Sequence, residues 1–180
     1  DFYPDFIADG LGRMGVESVQ ATVSVDVVER LRKSSSEMRA ASIARLLRGD
    51  VIDALAAEIN RVADDADADT VLIPAVVGFD SEKPLAMLRE KVLRPVYCVA
   101  TTPMSVCGTR AQLLLRRRFE QLGGIYLLGD NVASGKFASD GRIKSVMTTN
   151  LGDDEMEADT FILATGGLFS RGIVADPHKV

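Results

Sequence analysis

The chain has 180 residues, 47% of them hydrophobic and 26% charged, with a formal net charge of −5. That suffices for one domain, or a small domain plus part of another, in a globular chain of ordinary composition. It argues against a broad basic surface for nucleic acid, and no apolar run is long enough to cross a bilayer. Two cysteines and one histidine leave no basis for a disulfide framework or a dedicated zinc site.

Pro4 suits the first turn of a helix, where its missing N–H costs nothing. Phe6, Ile7 and Leu11 give that helix a weak apolar stripe, and Gly15 suits its stop. Val19, Ala21, Val23 and Val25 then alternate with polar residues, the pattern of a half-buried strand. Ser34 and Glu37 form a capping-box pair. The helix they open carries Met38, Ile43, Leu46 and Leu47 and ends at Gly49. Asp50 is placed to cap the next helix, in which Val51, Ile52, Leu55, Ile59 and Val62 share a face. The acidic stretch from Asp64 to Asp69 reads as a surface link.

Val71 to Val77 is an apolar run of buried-strand length, although Pro74 cannot donate to a ladder. Leu85, Leu88 and Val92 predict a helix, and Val96 to Val99 a strand. From Gly108 a helix runs to Leu122, with Leu115, Phe119 and Leu122 on one face, and Gly123-Gly124 ends it. Ile125 to Leu128 reads as a short buried strand. Asp140-Gly141 suits a two-residue hairpin turn. Ala158 to Thr160 leads into Phe161-Ile162-Leu163-Ala164-Thr165-Gly166-Gly167. The alternation of strand and helix patterns favours an α/β fold. A domain boundary is expected near residue 104. The chain lacks an initiating Met, opens inside a helix pattern and closes soon after a strand-and-glycine motif, so it reads as a piece of a longer protein.

Gly10-Leu11-Gly12-Arg13-Met14-Gly15 matches the dinucleotide-binding pattern G-x-G-x-x-G. That pattern has physical meaning only between a buried strand and a helix, where bare backbone approaches a pyrophosphate. Here the preceding residues include Asp1, Pro4, Asp5 and Asp9, and the following ones alternate like a strand. Both flanks are of the wrong type, so the motif reads as a helix end with a glycine stop.

The run closing in Thr165, Gly166 and Gly167 carries more information. Glycines at the carboxyl end of a strand let the chain leave the sheet close to a ligand. A helix ending in two glycines, a short strand, an Asp-Gly hairpin and then this run resemble, in that order, the latter half of the nucleotide-binding domain of two-dinucleotide-fold flavoproteins. Several stretches narrow the resemblance. They are Asp1-Phe2-Tyr3-Pro4, Met38 to Leu47, Leu72 to Asp80, Pro103 to Arg110, Arg118 to Gly124 and Leu163 to Gly172. In this order and spacing they resemble the B-subunit family of anaerobic glycerol-3-phosphate dehydrogenases.

The resemblance implies an inserted substrate or cap region over residues 1–104 and part of a Rossmann-like flavin-binding domain with a β-meander over 105–180. It implies oxidation of sn-glycerol 3-phosphate to dihydroxyacetone phosphate, with electrons passed to a quinone in anaerobic respiration. It further implies FMN in this subunit, with FAD as the alternative. The implied partners are a catalytic, FAD-bearing A subunit, and an iron–sulfur C subunit that attaches the cytoplasmic pair to the inner face of the membrane. The family's first strand, phosphate loop and ribose-binding acid lie upstream of the matched stretches.

For cofactor contact the candidates are Thr165, Gly166 and Gly167, and for phosphate or substrate Arg110 and Arg171. Arg110 lies near a helix start, where exposed N–H groups and a guanidinium can hold a phosphate. A carboxylate or carbonyl partner is the competing reading. Arg116, Arg117 and Arg118 point in different directions on a helix and read as a solvated face. His178 has no nameable partner. Asp153, Asp154, Glu155 and Glu157 lack the spacing of a calcium loop and read as a solvated loop. Cys107 reads as a small residue filling a gap. No catalytic acid or base stands out. The rival readings are another flavoprotein of the same fold, a subunit that relays electrons or scaffolds without chemistry, and a phosphate-binding module without redox function. The redox reading expects the run ending at Thr165 to pair with the strand at Ile125 to Leu128.

Overall fold

The computed structural model describes residues 2–33, 39–102 and 104–166, leaving out the Arg32 side chain. The fold is mixed α/β. Its elements are α1 (Pro4–Arg13), α2 (Asp26–Glu29) running into a 3-10 turn (Arg30–Lys33), α3 (Ala40–Leu46), α4 (Asp50–Asp65), β1 (Val71–Pro74), α5 (Lys83–Lys91), β2 (Val96–Val99), α6 (Val106–Gln121), β3 (Val132–Phe137), β4 (Ile143–Thr148) and β5 (Glu155–Glu157). They divide into two compact units, the second beginning at Tyr126. The compact division falls after α6, whereas the sequence places its boundary near residue 104.

The first unit is built on a βαβ crossover. β1 and β2 pair in parallel, Val71 opposite Val96 through Pro74 opposite Val99, and α5 supplies the connection. The expected helix forms as α5 with Leu85 and Leu88 buried, while Val92, also buried, is its extended C-cap. α4 buries Ile52, Ala56, Ile59 and Ala63, the spacing of one helical stripe. The core joins these to Val25, Leu47, Val77 and Val96. Two polar ties fix the layers. Asn60 donates through Nδ2 to the Lys91 carbonyl (3.0 Å) and accepts from the Leu93 N–H (2.8 Å), satisfying the end of α5 from α4. Arg94 Nε donates to the Ala68 carbonyl at 2.9 Å and holds the α4–β1 link.

Helix punctuation differs in detail from the sequence reading. Gly49, at φ 60°, is the N-cap of α4, and Asp50 is its first helical residue, where its charge meets the helix's positive end. The stretch from Asp64 is partly helical, because α4 continues to Asp65. The capping-box pair Ser34 and Glu37 lies outside the described residues, and α3 starts after Arg39 without a side-chain cap. Residues 19–25, expected as a strand, are not in a ladder.

The second unit is a three-stranded antiparallel sheet in the order β3-β4-β5. The Asp140-Gly141 turn forms, but as a three-residue loop, Ser139 to Gly141. The Ala138 N–H donates to the Arg142 carbonyl at 2.8 Å, and Gly141 is left-handed at φ 82°. Asp140 explains the extra residue, since its carboxylate accepts from the Arg142 backbone N–H (3.1 Å) and pairs with the Arg142 guanidinium. Among the described residues of this unit the buried side chains are polar, Ser145 and Thr148.

Two expected strands do not form. Ile125 to Leu128 is outside any ladder and exposed. Phe161 to Thr165 is likewise outside any sheet, with Ile162 86% and Leu163 77% exposed. The pairing expected between these two segments is absent. The physical reason is that an apolar run becomes a strand only when another strand accepts its ladder hydrogen bonds.

Candidate functional site

In open parallel sheets ligands meet the carboxyl ends of strands. In the first unit that edge carries the loop after β1, residues 75–82, and the segment from β2 into α6. Val106 is buried and Ser105 caps α6, its Oγ accepting the Gly108 N–H at 3.0 Å. One turn on, Arg110 folds back into the β1 loop with its side chain only 11% exposed. Its Nη1 donates to the Gly78 carbonyl at 2.8 Å, and Nη2 lies 3.5 Å from Glu82 Oε1 and 3.9 Å from Cys107 Sγ. Gly78 sits at φ 83°, where a Cβ would fall 2.5 Å from the Ser81 carbonyl oxygen and 2.8 Å from Arg110 Nη1. The loop's second clamp is Arg45, whose guanidinium stacks 4.4 Å from the Phe79 ring centroid. Thr101 Oγ1, just after β2, is buried without a hydrogen-bond partner among the described residues.

Of the sequence candidates, Arg110 is therefore engaged with a carbonyl and faces a carboxylate. Cys107 is exposed and does not fill a gap. Cys98, in β2, is half-buried, and burial pushes its thiol above the usual range while Arg89 pulls it down. In the second unit Thr165 is half-buried and Gly166 is exposed at φ 76°. Gly167, Arg171 and His178 lie outside the described residues. Arg117 and Arg118 are exposed on α6, and Arg116 Nε pairs with Glu120 at 2.8 Å. The four carboxylates read as a loop divide. Glu155 and Glu157 stand in β5, while Asp153 and Asp154 are exposed before it.

The polar centres that sequence reasoning missed hold the second unit together. The Asp130 carboxylate accepts the Thr148 hydroxyl (2.5 Å), the Thr149 hydroxyl (3.0 Å), and the N–H groups of Asn150 (3.0 Å) and Asn131 (2.8 Å). The Thr148 hydroxyl above all, with the other donors, holds its pKa below the usual carboxylate range. Glu155 pairs with Lys136 and accepts the buried Ser145 hydroxyl at 2.6 Å, which also lowers its pKa, Lys136 first. No short motif marks either centre, because the partners come from separate strands. Gly78 alone carried a signal, as a glycine directly after the apolar run Val71 to Val77.

With this geometry set out, the comparisons place the chain. It belongs to the FAD binding domain family, which it matches over residues 1–180. It is 38% identical over 176 residues to the anaerobic glycerol-3-phosphate dehydrogenase B subunit of Yersinia enterocolitica, covering 97% of this chain and 41% of that protein. It is 36% identical to the protein of the same name from Yersinia pseudotuberculosis and 33% identical to that from Vibrio vulnificus, each match covering 100% of this chain and 42% of the relative. The chain thus spans well under half the length of these relatives. No solved structure matches it.

A flavin needs several donors converging on its phosphate and ring. Among the described residues Thr165 and Gly166 make no hydrogen bond, and the Arg110 guanidinium is held by the β1 loop. These residues alone do not compose a flavin site, so no chemical step follows from them. Among the described residues there is no group of three or more His, Cys, Asp or Glu side chains able to hold a metal, and no helix long and apolar enough to cross a membrane.

Proposed function

We propose that this chain is part of a flavin-dependent dehydrogenase subunit that works in oxidising sn-glycerol 3-phosphate to dihydroxyacetone phosphate, with electrons leaving to a quinone. The observation that carries this reading is the end-to-end match to the FAD binding domain family, together with collinear relatives named as the B subunit of that dehydrogenase. The pairing this reading expects is not found between its two segments, Ile125 to Leu128 and the run ending at Thr165. In the longer protein they would be strands of a nucleotide-binding sheet, with Thr165, Gly166 and Gly167 at the flavin. Residues 1–104 would be the substrate or cap region and 105–180 part of the flavin domain. Arg171 is the proposed phosphate contact. Arg110 is proposed first as the anchor of the β1 loop, and it reaches a phosphate only by releasing the Gly78 carbonyl. FMN is the proposed flavin, with FAD the alternative. The proposed partners are a catalytic flavoprotein, the A subunit, and an iron–sulfur C subunit that attaches the complex to the membrane.

The test is the visible spectrum of the full-length protein, before and after glycerol 3-phosphate is added with the catalytic flavoprotein partner. Flavin absorbance that bleaches on addition supports the reading, and a full-length protein without flavin absorbance overturns it. A second reading, a subunit that relays electrons or scaffolds, draws on one observation. At Glu58, Asp130, Asp140 and Glu155 hydrogen bonding to a structural partner outweighs burial and lowers the pKa. None is raised toward neutrality as a catalytic acid or base would be. Under that reading turnover with the flavoprotein partner survives loss of this subunit's flavin.

A further inference from the structure

Within the first unit an apolar cleft of about 530 Å³ separates the N-terminal segment from the core. Ile7 and Leu11 of α1 line one wall, and Leu72, Ile73 and Pro74 of β1 line the other. We infer that α1 and the extended residues 18–25 form a flap hinged at Val25, which zips onto the free edge of β1 and closes this cleft.

Four observations carry the inference. Burial along one side of the segment falls steadily away from the hinge: Val25 is 8% exposed, Val23 is intermediate, Ala21 is exposed and Val19 is 70% exposed. The residues between them, Gln20, Thr22 and Ser24, are all exposed. That is a strand with the correct side-chain parity, seated at one end and lifted at the other. Second, Val25 is already fixed. It is extended at φ −129° and ψ 138°, and its carbonyl accepts the N–H groups of Val28 (2.9 Å) and Glu29 (3.0 Å).

Third, β1 has an edge to receive it. The Val71 N–H bonds to the Pro95 carbonyl and the Ala75 N–H to the Val99 carbonyl, so these residues face β2. Leu72 therefore turns its N–H and C=O the other way, toward the cleft, while the Pro74 carbonyl accepts the Val76 N–H at 2.7 Å. Pro74, which has no N–H, sits where a proline is tolerated, on an outward edge position. Among the described residues, no backbone hydrogen bond joins residues 18–24 to another segment. Two sets of unspent backbone groups thus face one cleft, a costly state if it were sealed from water. Fourth, α1 buries none of its residues, and Gln20 Nε2 holds Asp5 at 2.8 Å, so the helix would travel with the segment. Closure would seat Ile7 and Leu11 against the core. This inference does not depend on the flavin reading.

The experiment is residue-resolved amide hydrogen exchange on the full-length protein. Closure predicts that alternate amides within residues 19–24 exchange at least tenfold more slowly than an open chain. Val23→Asp puts a charge on the seated side and is expected to return those amides to open-chain rates, with α4 and β1 protection unchanged. Should that variant lose α4 protection as well, Ala21→Pro or Thr22→Pro, at whichever of the two carries a protected amide, decides in its place, since it removes a single ladder N–H. Open-chain rates throughout 19–24 in the unmodified protein overturn the inference, as happens if an apolar molecule fills the cleft and holds the flap off. Equal protection in the unmodified protein and the deciding variant overturns it too.

Discussion

Replacing Gly78 with alanine should cost far more than an ordinary glycine substitution. Two penalties meet there. At φ 83° an L-residue is strained by about 1–2 kcal/mol. The new methyl would also stand 2.5 Å from the Ser81 carbonyl oxygen and 2.8 Å from Arg110 Nη1. One of these is backbone, and the other is a guanidinium tied to the Gly78 carbonyl, so neither yields freely. Overpacking of this kind costs about 1–3 kcal/mol. Together the expected loss is roughly 3 kcal/mol. Gly123→Ala is the matched control. Gly123 has nearly the same φ, 87°, and nothing lies within 4 Å of where its methyl would stand, so it should lose only the strain, about 1 kcal/mol. The chain has no tryptophan, so urea unfolding is followed by far-ultraviolet circular dichroism. With a slope of about 2 kcal/mol per M, Gly78→Ala shifts the midpoint by about 1.5 M and Gly123→Ala by about 0.5 M. Two variants that unfold at the same midpoint would refute the claim that the loop closes tightly around Gly78.

The other predictions concern the polar ties. Arg110→Met should destabilise by about 2 kcal/mol through the stranded Gly78 carbonyl, with Arg110→Lys between it and the parent, as thermal unfolding will show. Ser105→Ala should cost about 1 kcal/mol by uncapping α6, measured in the same way. Because folding lowers the Asp130 pKa, its carboxylate stabilises the β3–β4 pair above the unfolded value of about 3.9, and that contribution is lost as pH falls through the lower folded value. Amide signals of Asn131 and Asn150 followed through an acid titration should report this loss, and Asp130→Asn should flatten it.

Those parts of the fold whose partners lie close in sequence were legible. α4, α5 and α6 carry their stripes and stops within one segment, and β1 and β2 meet because α5 is the short crossover between them. The Asp140-Gly141 turn was legible as a turn, but its third loop residue depends on Asp140 reaching Arg142, which a two-residue pattern does not encode. The ties at Asn60 and Asp130 were not legible, and at Arg110 the kind of partner, a carbonyl or carboxylate, was legible but not which one. Each joins groups far apart in the chain through geometry alone. At the candidate site, Gly166 was read as a glycine where the chain leaves a sheet beside a cofactor; it is left-handed at φ 76°, but the sheet expected to lead into it was not found.

The three segments read as strands and found unpaired, residues 19–25, 125–128 and 161–165, fail for one reason and differ in what they reveal. Alternation or an apolar run records which faces a segment would bury, whereas a ladder also needs a neighbour's N–H and C=O groups at about 4.7–4.9 Å spacing, as in any sheet. Residues 19–25 have such a neighbour at Leu72 of β1, inside the same unit, and their burial rises toward Val25. Residues 125–128 and 161–165 pair with neither edge strand of the second unit's sheet, β3 or β5, and Ile125, Ile162 and Leu163 stay exposed. An apolar strand pattern without a partner is thus an argument about what covers it. The chain spans well under half the length of the relatives it matches, so the full-length protein is where such a cover is to be sought.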